Sequence, residues 1–99
     1  MSARLILQGP GRYRLEGAIH FGAPLPDELQ APGIEPVAGS ATIALDGLEQ
    51  ADSVALALLI EWRRQARGRG FRLTLADVPK RIAALIRVTG VGPVFEDAP

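Results

Sequence analysis

Apolar positions recur along the chain with two different periods, and the change of period marks where strands give way to helices. From Arg12 to Ile19 they alternate, with Tyr13, Leu15 and Gly17 on one face and Arg12, Arg14 and Glu16 on the other. A period of two predicts a half-buried strand. Arg4 to Gln8 alternates more weakly, and Gly9-Pro10-Gly11 between the two segments is a turn signal, so the pair predicts a hairpin. Residues 22–41 are rich in Pro, Gly and Ala, and Leu25 to Gln30 accommodates at most a short helix. Ala41 to Leu45 (ATIAL) predicts a strand apolar enough to be buried on both faces, with Asp46-Gly47 ending it.

The period then lengthens. Ser53 to Arg67 predicts a long helix stopped by Gly68 and Gly70. Phe71 to Leu75 predicts a further strand, and Pro79 suits the first turn of a helix reaching Thr89, with Ile82, Leu85, Ile86 and Thr89 turned inward. Gly90-Val91-Gly92-Pro93 breaks that helix, and Val94-Phe95 predicts a short last strand. The order β-β-(α)-β-α-β-α-β, with two strand–helix–strand crossovers, predicts an α/β fold: a mixed β-sheet with helices packed on it. With 99 residues and neither repeats nor a separate linker, residues 1–99 are expected to form a single domain.

The long helix departs from simple amphipathicity. Val54 to Ile60 (VALALLI) is apolar without a break, directly after Asp52-Ser53. At about 100° per residue from Ser53, the residues Ala55, Leu58, Leu59, Trp62 and Ala66 fall between about 140° and 240°, the inward stripe expected of a helix on a sheet. Glu61, Arg64, Gln65 and Arg67 define the solvated side. Val54, Ala57 and Ile60 nevertheless share that side with Ser53, and Leu56 borders it. Either a neighbouring loop from residues 22–41 covers them, or a protein partner does, since contiguous apolar surface with a charged rim marks an interface. Ser53, Val54, Ala57, Ile60 and Arg64 are the candidate partner-binding residues. Asp52 or Ser53 caps the helix, and a hydroxyl at that position also sits where a phosphate would be stabilised.

Composition narrows the chemistry. The chain has 47% hydrophobic residues, no cysteine and one histidine, so it is a globular protein with neither disulfides nor a cysteine-based metal site. His20 stands alone, and neither a GxxxxGK[ST] phosphate loop nor a GxGxxG after a strand is present. No catalytic residue, metal ligand or cofactor is expected. The first residues lack the pattern of a signal peptide, and the longest apolar run falls far short of the roughly 20 residues of a membrane span, so no direct membrane insertion is expected. Net charge is zero, but residues 61–90 hold eight basic and two acidic residues. Without aromatic residues among those arginines, solvated helix faces explain the bias better than a nucleic-acid surface does.

LDGLEQADSVALALL (Leu45 to Leu59), followed by a glycine-punctuated loop and the strand FRLTL, resembles a STAS domain, the fold of bacterial anti-sigma-factor antagonists. The order of elements agrees from Leu15 to Phe95, and the match is specific at Asp52-Ser53 and the helix after it. Residues 20–40 depart from the pattern, with prolines where a well-formed first helix is expected. In antagonists of anti-sigma kinases the residue at Ser53 is the phosphoacceptor, and the motif continues Gly-Leu where this chain has Val54-Ala55-Leu56. The helix Ala55 to Ala66 is more similar to the STAS subunits of Mla-type phospholipid ABC transporters of Gram-negative bacteria. That resemblance implies a cytoplasmic, non-catalytic subunit docked on the transporter's ATPase subunit, peripheral to the inner membrane, with Ser53 supporting assembly and activity. The alternative it leaves is an anti-sigma-factor antagonist switched by an anti-sigma kinase at Ser53.

Overall fold

The computed structural model describes residues 3–22 and 25–89. Two strands, β1 (Arg4–Gly9) and β2 (Arg12–Ile19), form the expected antiparallel hairpin. Among the described residues of the proline-rich segment, a 3-10 turn at Asp27–Leu29 is the only helix. Strand β3 (Ser40–Ala51) is followed by helix α1 (Ser53–Gly68), strand β4 (Arg72–Ala76) and helix α2 (Lys80–Thr89). The sheet order is β1-β2-β3-β4, with β2, β3 and β4 parallel. The sheet is therefore mixed, and the fold α/β, as the sequence predicts.

One sheet face carries the core. Leu15, Ile19, Ala41, Ile43, Leu45 and Leu73 are buried there against Ala55, Leu58, Leu59, Trp62 and Ala66 of α1 and Ile82 of α2. The opposite face presents Arg12, Arg14, Thr42, Ala44, Arg72 and Thr74, all exposed or half-buried. The expectation that ATIAL is buried on both faces is thus corrected. Its residues alternate between buried and half-buried, because no described helix lies on the second face.

Strand β3 also runs past Asp46-Gly47, where the sequence predicts an end. The register against β2 shifts between Arg14 and Glu16, whose partners are Ala44 and Gly47, and shifts again after Gly17. The dipeptide is absorbed as a bulge, and the ladder resumes with Leu48 opposite Gly17 and Ala51 opposite Ile19. Glycine is needed at the bulge: a Cβ on Gly47 would lie 2.8 Å from Glu16 Cγ and 2.9 Å from both Arg14 Nε and the Leu15 carbonyl oxygen. The extension carries the chain to Asp52 beside the end of β2, which is what builds the site.

Helix α2 buries Ile82 and half-buries Leu85 and Ile86, but Thr89 is exposed, its hydroxyl donating to the Leu85 carbonyl 2.6 Å away. Thr89 closes its own last turn and does not face the core. The expected break at Gly90 to Pro93 and the strand at Val94-Phe95 lie outside the described residues.

Candidate functional site

Helix α1 begins where β3 delivers it. Asp52 is extended (φ −137°, ψ −156°), and one carboxylate oxygen accepts from the Val54 amide at 2.8 Å. Asp52 is therefore the cap, and Ser53 occupies the first helical position with an exposed side chain. The other carboxylate oxygen accepts from the Phe21 amide at 2.9 Å, tying the end of β2 to the start of α1. These bonds, first from Phe21 and then from Val54, hold the Asp52 carboxyl below the usual aspartate range, with His20 and Arg81 nearby adding to the effect. His20 is half-buried, with Nδ1 3.0 Å from the Phe21 carbonyl oxygen.

The buried arc of α1 is wider than a single stripe. Leu56 (3% exposed) and Arg63 (8%) are buried beside the inward residues, spreading the covered side from about 140° to about 300° around the helix. Leu56 therefore belongs to the interior and does not border solvent. On the other flank the proline-rich segment is stitched to the helix. Trp62 Nε1 donates to the Leu29 carbonyl at 2.6 Å, Gln65 Nε2 to the Gln30 carbonyl at 2.8 Å, and Arg69, beyond the helix end, to the Ile34 carbonyl at 2.6 Å. The Tyr13 hydroxyl accepts from the Glu35 amide at 2.9 Å, fixing the same segment to β2.

Those contacts fall on the Trp62 and Gln65 side of α1. Along the remaining arc, Ser53, Ala57 and Arg64 are exposed, while Val54 and Ile60 are half-buried, Val54 leaning on the core. All five candidate residues thus share one ridge, though Val54 and Ile60 expose only part of their surface. Arg64 ends the ridge in a two-pronged pair with Glu61, whose carboxyl it holds below the usual glutamate range. An exposed pair of this kind adds little stability. Beside the ridge's start, a cleft of about 470 Å³ lies between the tail of β3 and the first turn of α2, lined by Gln50, Ala51, Pro79, Arg81 and Ile82 among others.

Phe21 lies outside the predicted ridge. The residue is 86% exposed, and the Asp52 carboxylate holds its backbone amide. The only signal along the chain is an aromatic residue between a strand end and Gly22. Among the described residues no cluster of three or more His, Asp or Glu could hold a metal, and no helix is long and apolar enough to cross a membrane.

A family model described as "Mlab, STAS domain" matches residues 11–95. The chain belongs to this STAS domain family. The match spans strands β2 to β4, both helices and the whole candidate site, leaving β1 outside it, and the mixed sheet with its two helices agrees with the STAS fold. Comparison with curated proteins finds no match. STAS domains are generally non-catalytic, and the site of this one is a capped helix start with an exposed hydroxyl and a small-residue ridge.

Proposed function

We propose that this STAS domain is the single-domain, non-catalytic subunit of a Mla-type phospholipid ABC transporter, docking on the ATPase subunit to support its assembly and activity. The observation that carries this reading is the ridge on α1, where Ser53 and Ala57 stay exposed while the proline-rich segment is fastened to the other flank. Small residues let a partner helix approach closely, and apolar ones gain from leaving water, at about 25 cal/mol per Å² before the costs of association. Docking there would hold the chain at the cytoplasmic side of the inner membrane through its partner. ATP turnover belongs to the partner, because this chain has no phosphate loop.

The test is co-purification of tagged chain with the ATPase subunit, alongside thermal melts. Ala57→Glu abolishes docking and leaves the melting temperature nearly unchanged, since Ala57 is exposed. Ser53→Ala weakens docking less, and Ser53→Glu, adding bulk and charge, blocks it. Continued co-purification of Ala57→Glu, or loss only through unfolding, rejects the reading.

The second reading is an anti-sigma-factor antagonist with Ser53 as phosphoacceptor for an anti-sigma kinase. What favours it is the exposure of Ser53 at the first position of α1, at the helix end whose dipole stabilises a negative charge. Neighbouring genes for a permease and an ATPase favour the transporter; genes for an anti-sigma kinase and a sigma factor favour the switch.

A further inference from the structure

Phe21 combines three properties that the fold does not require together. The residue is 86% exposed, and its backbone is held at both polar groups: the amide by Asp52 Oδ2 at 2.9 Å, the carbonyl by His20 Nδ1 at 3.0 Å. The same Asp52 carboxylate caps α1 at Val54, so the Phe21 backbone is fixed beside the start of the ridge. Isolated exposed apolar residues are ordinary on protein surfaces. An exposed ring on a fixed backbone, next to a ridge that exposes Ser53 and Ala57 between half-buried Val54 and Ile60, is different. Ordering it on binding costs little, and aromatic residues are enriched in interface cores.

The charges around this strip define what fits it. Arg81 is exposed on the first turn of α2, close enough for its charge to act on Asp52, and Lys80 is exposed beside it. Arg64 and Arg67 are exposed at the far end of the ridge. Two carboxylates lie along the ridge, both already engaged: Asp52 at its start by the Phe21 and Val54 amides, and Glu61 by Arg64, while α2 has no acidic residue. An apolar strip with positive charge at both ends is complementary to an apolar groove flanked by carboxylates.

We propose that Phe21 is the anchor of the docking surface: its ring enters an apolar pocket on the ATPase subunit, with carboxylates of that subunit meeting Arg81 at one end of the ridge and Arg64 and Arg67 at the other. This rests on the docking reading above and adds to it a residue outside the helix and the chemistry of the partner's surface.

The experiment measures affinity and association rate of the purified chain for the purified ATPase subunit, with melts of every variant. Phe21→Ala binds about thirtyfold more weakly, Phe21→Leu falls between, and both melt with the wild type because the ring is solvent-exposed. Arg81→Glu slows association severalfold at about 50 mM salt and much less at about 500 mM. Affinity of Phe21→Ala within twofold of wild type, while Ala57→Glu abolishes binding, overturns the anchor and leaves the ridge standing. A wild-type chain that does not bind the ATPase subunit brings down both. Phosphatidylglycerol vesicles serve as a separate probe: if Phe21→Ala loses binding to them but keeps its ATPase affinity, the ring belongs to a lipid surface and the proposal fails.

Discussion

Asp52 divides one carboxylate between two elements, accepting from Phe21 with one oxygen and from Val54 with the other. Two donors stabilise the charged form, so its folded pKa lies below the unfolded one. The resulting stability is present above about pH 4, where the unfolded aspartate is also ionised, and disappears as pH falls through the folded value. Melts from pH 7 to pH 2 are expected to show wild type losing more stability below about pH 4 than Asp52→Asn does; parallel curves would refute the assignment. The sequence left the cap open between Asp52 and Ser53, because both residue types cap well and the choice depends on where the backbone leaves β3. Trp62 was readable by contrast, since helical spacing alone puts it at the middle of the inward stripe. It is 1% exposed and donates to the Leu29 carbonyl at 2.6 Å. Trp62→Ala should cost about 3–5 kcal/mol by denaturant unfolding, through a cavity and an orphaned carbonyl.

Among the elements, those with an unbroken period were legible: the hairpin, α1, β4 and the body of α2. Strand β3 was legible only up to Asp46-Gly47, because that dipeptide has the composition of a turn and its bulge exists only through pairing with β2. Position 47 tests this directly. Gly47→Ala puts a Cβ 2.9 Å from the Leu15 carbonyl oxygen, which is backbone and cannot swing aside, and should cost about 1–3 kcal/mol. Gly68→Ala is the control: nothing lies within 4 Å of that added Cβ, and replacing a helical glycine should be neutral or stabilising by up to about 1 kcal/mol. Chemical denaturation of the two variants decides, and equal effects would remove the bulge argument. The ridge was only half legible for a similar reason. Helical angles placed Ser53, Ala57 and Arg64 correctly on an outward arc, but they could not tell which flank the proline-rich segment would take. Contacts between distant parts of the chain settle that, and they also bury Leu56 and leave Val54 and Ile60 half-covered.

At the scale of the whole molecule, the two sheet faces separate two kinds of surface. The helices and the candidate site lie on one side; on the other, Arg14 Nε sits 3.4 Å from an Asp46 oxygen and 3.6 Å from a Glu16 oxygen on the open face of the sheet. The chain has no net charge, so overall charge offers a partner no attraction, and any electrostatic contribution to docking must come from where the charges stand. Arg64 and Arg12 provide the comparison. Both are exposed, one at the end of the ridge and the other on the opposite sheet face, and replacing either by glutamate changes the net charge by the same two units. If docking is local to the ridge, Arg64→Glu slows association with the ATPase subunit about three- to tenfold at low salt, and Arg12→Glu leaves it within twofold. Part of the Arg64 effect reflects Glu61, which then faces a like charge three residues away, so Arg64→Gln should produce a smaller change in the same direction. Stopped-flow association rates for the three variants give the answer. Equal slowing by Arg64→Glu and Arg12→Glu would mean that the partner responds to total charge, and the ridge would lose its claim to be the docking surface.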